Sequence, residues 1–336
     1  MGVNISELLP KKEISFNDLN NKIIAIDAFN VLYQFLSSIR QYDGTPLMDT
    51  QGNITSHLQG LLSRTINLMN KNIKIIYIFD GIAPKLKERE RELRKEQKLK
   101  GYNKYLEASQ EKDIKNMLKY AKTTSRLTKE MTEEAKELIK ALGLPIIEAP
   151  SEAEAQAAFM CKNKDVYATA SQDADSLLFG TPILIRNLTL SQKRKTVYGK
   201  IIYTFLEEIK LEDTLKSLEI NYDQLITLGI LVGTDFNPGG IKGIGPKKAL
   251  KLIKTQSPEE IFKEADFNWR EIYNIFTKIP VTKDYKLKWN PIDEKKLKEI
   301  LIEKHDFSKE RIDILLNKSK NLLKKEQNNL SGFFNN

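Results

Sequence analysis

The sequence predicts an α/β fold, with a mostly parallel central sheet flanked by helices, and three features predict it. Short apolar runs that end in aspartate alternate with stretches of helical spacing through the first half. A strongly basic segment interrupts that alternation, and after about Tyr203 the chain reads as all-helical. Alternation of this kind gathers ligands at the carboxyl ends of parallel strands.

The elements follow in order. Residues 22–27 form an apolar β-prone run ending in Asp27, residues 30–39 have helical spacing, and residues 54–69 are amphipathic. Residues 74–80 form a second apolar run, ending in Asp80. A third strand is expected at 144–148, then Pro150-Ser151 and a helix, and a fourth at 166–170 ahead of Asp173 and Asp175. The clearest helical signal in the second half spans 225–254, and the Lys- and Asn-rich tail from Lys318 is expected to be flexible.

Composition narrows the function. A chain of 336 residues with 40% hydrophobic content has room for a substantial core and about two domains. Its longest apolar runs, 75–79 and 228–232, fall far short of the roughly 20 residues that span a bilayer, and no signal segment opens the chain. An intracellular, membrane-free protein is expected. Gly2 and Ser6 fit an acylation pattern, but no polybasic cluster supplies a second membrane signal, so the match reads as chance. The single Cys161 sits on an apolar helix side and reads as core. Net charge is +9, and residues 85–129 hold 15 Lys or Arg against seven Asp or Glu. With Tyr102 and Tyr105 interleaved, that excursion suits a nucleic-acid partner better than a solvated helix.

The acids carry the chemistry. Asp27 and Asp80 close apolar strands, where a carboxylate stays ionised only if water, a cation or a donor meets it. For Asp80-Gly81 alone, a turn is the simpler explanation. Ser151 and Glu154 fit a capping box, which explains Glu154 structurally and leaves Glu152 unexplained. Asp173 and Asp175 repeat the strand-end pattern. Asp235 follows an apolar helix, where the helix dipole disfavours it and something positive should compensate. Seven carboxylates at one sheet edge call for bound cations, and oxygen-only ligands select Mg²⁺, with Mn²⁺ as substitute, over Zn²⁺. Two such ions suit in-line phosphoryl displacement, which is nuclease chemistry. The only histidines, His57 and His305, read as capping, packing or surface residues.

With these residues in hand, the chain resembles the flap endonuclease family of structure-specific 5′ nucleases, in its archaeal and eukaryotic form. The resemblance rests on Ala25-Ile26-Asp27-Ala28, Tyr33-Gln34-Phe35-Leu36, Thr55-Ser56-His57-Leu58, Phe79-Asp80-Gly81, residues 149–155 and 171–175, Gly233-Thr234-Asp235, and Gly243-Ile244-Gly245-Pro246-Lys247, in the family's order. It implies that Asp27, Asp80, Glu152, Glu154, Asp173, Asp175 and Asp235 hold two divalent ions, and that Lys87 and Arg94 meet the scissile phosphate. The basic segment, about 85–129, would be a helical arch threaded by the 5′ flap. Tyr33 would stack on the nucleotide beside the cut, although its spacing alone assigns it to a helix core face.

Around residues 241–248, two glycines allow close backbone approach, Pro246 starts a helix, and Lys247 and Lys248 add charge. The resemblance makes residues 225–254 a helix-turn-helix that grips duplex backbone through Gly243, Gly245, Lys247 and Lys248, with a monovalent cation on loop carbonyls. The family commonly has Lys-Pro-Pro after Phe-Asp-Gly; here Ile82-Ala83-Pro84 follows, with one positive charge fewer. Gln327, Leu330, Phe333 and Phe334 resemble a short motif that docks on a sliding clamp of the proliferating cell nuclear antigen type.

The expected organisation is therefore 1–130 for the N-terminal nuclease region with the arch, 131–256 for the internal nuclease region with the duplex-binding motif, 257–326 for a C-terminal helical region, and 327–336 for the clamp-binding tail. The implied activity is 5′-flap cleavage, with 5′→3′ exonuclease action, in Okazaki fragment maturation and base-excision repair, by a monomer, cytoplasmic if archaeal. A related exonuclease or bubble-cutting nuclease is the nearest alternative. A non-catalytic clamp-bound DNA-binding protein is the alternative from another class, and seven acids near phosphate speak against it.

Overall fold

The computed structural model describes residues 2–111, 113–121, 125–195 and 201–318. Its centre is a seven-stranded sheet in the order β1-β9-β6-β5-β2-β3-β4. The strands are β1 (Lys12–Ile14), β2 (Ile23–Asp27), β3 (Lys74–Phe79), β4 (Ile146–Glu148), β5 (Ala168–Ala170), β6 (Ile183–Arg186) and β9 (Leu206–Lys210), while β7 (Lys193–Lys195) and β8 (Ile201–Tyr203) pair as a separate ribbon. From β4 to β6 all neighbours run parallel; β9 and β1 add an antiparallel edge. Chain order departs from β2 in both directions, so a crevice opens at the carboxyl end of the β2–β5 pair.

Period-2 alternation splits the core between the two sheet faces. Ile24, Ile26, Ile75, Tyr77 and Phe79 pack with α1 (Ala28–Ser38), α2 (Ser56–Met69) and α5 (Lys129–Ala141). Ala25, Ile76 and Ile78 face Ala153, Ala157 and Met160 of α6 (Ala153–Lys162), together with buried Cys161. Burying both faces is why β2 and β3 are almost wholly apolar. A further cluster joins the N-terminal Val3 and Ile5 to α7 (Asp175–Leu178), α9 (Tyr222–Val232), α10 (Pro246–Thr255) and α12 (Trp269–Lys278). Further helices are α8 (Leu211–Leu218), α11 (Pro258–Ile261) and α13 (Glu294–Lys298), and α13 runs into a π-helical turn, Glu299–Glu303.

The basic excursion folds as α3 (Glu88–Gln110) packed on α4 (Ile114–Ala121). No described helix is long and apolar enough to cross a membrane.

Two expectations fail. The chain after Tyr203 is not all-helical, because β9 lies inside the main sheet between β6 and β1. Glu207 and Glu208 mask that strand in the sequence, yet Glu208 is buried, accepting a hydrogen bond from the Tyr167 hydroxyl at 3.0 Å. Residues 279–293 are also neither helix nor strand. They form an extended strap held by Thr282 N–H to Gln156, the Tyr285 hydroxyl to Asp165, Trp289 Nε1 to the Ile75 carbonyl, and Asn290 N–H to the Gly143 carbonyl. Beyond the strap, Leu297, Ile300, Leu301, Ile312 and Leu316 enter the cluster that contains Ile24.

Candidate active site

The strand ends deliver the acids to one place. Asp27 closes β2 and caps α1, accepting from Asn30 N–H at 3.0 Å. Asp80 follows β3 and accepts from Ala153 N–H, the first amide of α6, at 2.6 Å. Gly81 lets this turn lie against Ala149 and Pro150, where a Cβ would collide with their carbonyls, and Gly81 N–H donates to the Ser151 carbonyl at 2.7 Å. Glu152 is the residue ahead of α6, and Glu154 lies in its first turn. Asp175 opens α7 and accepts from Val3 N–H at 2.7 Å; Asp173 accepts from the Asn30 side chain at 3.2 Å. Helix N-termini thus stabilise several of these acids.

The capping box is a correction. The Ser151 hydroxyl donates to the Ile82 carbonyl instead, and Glu154 accepts from the hydroxyls of Ser171 and Ser176 at 2.8 and 3.1 Å. Both acids of this segment are therefore turned toward the cavity rather than one being used as a cap. Asp235 meets its expected compensation: Arg94 at 2.8 Å and Lys87 at 3.7 Å. Lys87 also stands 2.5 Å from Glu152.

All seven acids, with Lys87 and Arg94, line one cavity of about 960 Å³. None of the seven is exposed. Burial and then the Asp80 charge push Asp27 up to about 8; burial and then Asp235 push Asp175 up to about 7. Burial followed by Asp175, Asp173 and Asp27 drives Glu154 well above the usual carboxylate range, and burial also raises Asp80 and Glu152. Burial works against the charge on Lys87, but Glu152 and Asp235 outweigh it and hold the ammonium firmly protonated. Buried oxygen donors that repel one another fit hard divalent cations, which relieve that repulsion.

Tyr33 overturns its spacing: 38% exposed, it lines the cavity, with the Lys98 ammonium 4.7 Å from its ring centre. Sequence reasoning missed Asn30, Ser171 and Ser176, which fix the acids. Asn30, three residues after Asp27, carried the signal of a capped helix start.

Beyond Asp235, the loop and helix start from Gly243 to Lys248 present the second expected site. Gly245 precedes α10 and Pro246 opens it, while Gly243 takes φ +81°, a left-handed conformation that suits glycine. Open space surrounds both glycines, and Lys247 and Lys248 are exposed. Gln327, Leu330, Phe333 and Phe334 lie outside the described residues.

Known proteins share this chain's sequence and fold. Residues 3–101 match the XPG N-terminal domain and residues 143–235 the XPG I-region. Flap endonuclease 1 of Thermococcus onnurineus is 50% identical over 99% of each chain, and that of Pyrococcus abyssi is 50% identical over 99% of this chain and 98% of its own. The flap endonuclease-1 structure from Methanococcus jannaschii superposes with a TM-score of 0.79 at 41% identity, covering 97% of this chain and all of that one. The catalytic core of Rad2 shares the fold, with a TM-score of 0.68 at 22% identity over 94% of this chain and 97% of its own. With half its residues shared along nearly the whole length of those relatives, the chain belongs to the flap endonuclease 1 family.

Proposed function

We propose that the chain hydrolyses phosphodiester bonds at branched DNA, releasing 5′ flaps, at the carboxylate-lined cavity. One observation carries the reading: in a chain of this family, seven acids from five segments and two basic side chains from a single excursion share that cavity. Asp27, Asp80, Glu152, Glu154, Asp173, Asp175 and Asp235 hold two Mg²⁺ ions, for which Mn²⁺ can substitute. When bound, such ions supply an activated water and stabilise the leaving oxygen of an in-line displacement.

The chain's own groups do the rest. Lys87 and Arg94, already drawn onto the acidic face by Glu152 and Asp235, hold the scissile phosphate and offset charge that builds on it. Tyr33 offers its ring to the nucleotide beside the cut. Gly243, Gly245, Lys247 and Lys248 receive duplex backbone at the N-terminus of α10, with a monovalent cation on the loop carbonyls, and carry no base specificity. The protein acts as a monomer in Okazaki fragment maturation and base-excision repair, with accompanying 5′→3′ exonuclease activity. Gln327, Leu330, Phe333 and Phe334 tether it to a sliding clamp, raising its concentration at new junctions.

The test is incubation with 5′-flap, bubble and blunt duplex substrates, with and without Mg²⁺, followed by sizing of the products. Mg²⁺-dependent release of the flap as one fragment is expected; preferential cutting of the bubble, or mononucleotide release alone, would reassign the activity.

A further inference from the structure

A second polar cluster takes no part in the proposed chemistry. His57 on α2 is wholly buried, and neither of its ring nitrogens has a hydrogen-bond partner. Its Nε2 stands 3.8 Å from one oxygen of Glu134 on α5. The other oxygen of Glu134 lies 3.2 Å from Nε2 of His305, which follows the π-helical turn and is likewise buried without a hydrogen bond at that nitrogen. Two histidine nitrogens from distant parts of the chain thus converge on the two oxygens of one carboxylate.

Asp49 fixes how His305 is presented. Its carboxylate lies 3.0 Å from His305 Nδ1 and is itself held by the Gln51 and Asn53 amides and the Asn53 side chain. A carboxylate on Nδ1 places the ring proton there and leaves the Nε2 lone pair free, the arrangement that orients histidine ligands of metals. Read as ion pairs, the cluster leaves His57 with two idle nitrogens in a dry site, which is costly. A cation would take one of them, Nε2.

We propose that His57, Glu134 and His305 bind a divalent cation of the Zn²⁺ class, with Asp49 orienting His305. The two nitrogens stand 3.2 and 3.8 Å from different oxygens of the Glu134 carboxylate between them, each separation near the roughly 3.3 Å between neighbouring ligands of a tetrahedral ion with bonds of about 2.0–2.1 Å. Among the described residues no three such groups surround one point, and this holds for the seven carboxylates as well, so binding requires the two rings and the carboxylate to close on the ion. Two imidazoles with one carboxylate favour Zn²⁺ or Co²⁺ over the hard ions suited to the acidic cavity. His305 also lines a cavity of about 590 Å³. The ion would pin the segment after the π-helical turn to α2 and α5.

The test uses the full chain stripped with chelator and then saturated with Mg²⁺, so that the acidic cavity is filled. One equivalent of Co²⁺ is expected to give the visible absorption of a four-coordinate nitrogen–oxygen site, and Zn²⁺ to displace it. Zn²⁺ at a hundredfold excess over its dissociation constant should raise the melting midpoint by about 4 °C. His57→Gln and His305→Gln should abolish both signals, and Asp49→Asn should weaken binding about tenfold or more. Absence of the Co²⁺ signature in the parent protein overturns the proposal without reference to any variant. So does retention of the signature in both histidine variants.

Discussion

At the carboxyl edge of the sheet, seven acids are buried or half-buried; burial raises five of them, and repulsion from neighbouring acids adds to it at Asp27, Glu152, Glu154 and Asp175. At the start of α10, by contrast, Lys247 and Lys248 stand in solvent beside two glycines with open space around them. In the first region Lys87 and Arg94 offset only part of the acids' repulsion, and the side chains are fixed in advance by helix ends and hydroxyls. The second, on the proposed reading, would meet phosphate backbone, and salt would screen that contact freely. If the first region carries the chemistry and the second the grip, substitutions should separate them.

The largest effect is expected at the acids. Asp80→Ala or Asp175→Ala should lower the single-turnover cleavage rate by roughly 10³-fold or more while flap affinity stays within about twofold. Cleavage within tenfold of the parent in both variants would remove the acidic cavity from the chemistry. Next, Lys87→Ala or Arg94→Ala should slow the same step about 10²-fold with little loss of affinity. If affinity alone fell, these residues would belong with the gripping surface, and the contrast would blur.

At that surface, replacing Lys247 and Lys248 together by alanine should weaken duplex binding about tenfold and flatten its salt slope by about 2, leaving the rate at saturation unchanged. An unaltered slope would exclude both lysines from phosphate contact. The smallest effect concerns stability without metal. Asp27 and Asp175 bind protons in the fold at pH values where the unfolded chain has released them, so their contribution is full below about pH 4 and is lost as pH rises through about 7 to 8. Metal-free protein should therefore melt lower at pH 9 than at pH 6, and Mg²⁺ should raise the midpoint more at pH 9. Equal Mg²⁺ shifts at the two pH values would count against ionisation coupled to metal binding.

The sequence showed the acids plainly because each strand that ends in one is apolar enough to be recognised alone, as in Ile23-Ile24-Ala25-Ile26-Asp27. It hid β9, whose two glutamates break the apolar run and whose buried Glu208 depends on a tyrosine far away in the chain. The strap reads as helix in the sequence, although Tyr285, Leu287 and Trp289 are half-buried while Lys286 and Lys288 are exposed, a period of two that this reading passes over. No neighbouring strand completes that pattern, so periodicity could not say what it meant. Tyr33 misled for a related reason, since helical spacing fixes a face but not whether that face meets core or cavity. The histidine cluster was invisible because His57 and His305 meet only through tertiary packing with Glu134.

The strap and the segments after it have a consequence for synthesis. β2 leaves the ribosome early, yet Leu297, Ile300, Leu301, Ile312 and Leu316 complete the very cluster that covers it. At roughly 5–20 residues per second, the half-built sheet waits ten seconds or more for those side chains. Apolar β2 and β3 stay vulnerable to misassociation through that interval, so newly made chains should be holdase clients until the C-terminal segment emerges. A chain ending after Pro291 should accordingly be recovered with chaperones or in aggregates rather than as a smaller working nuclease, and pulse proteolysis of stalled nascent chains would show when the sheet first becomes resistant.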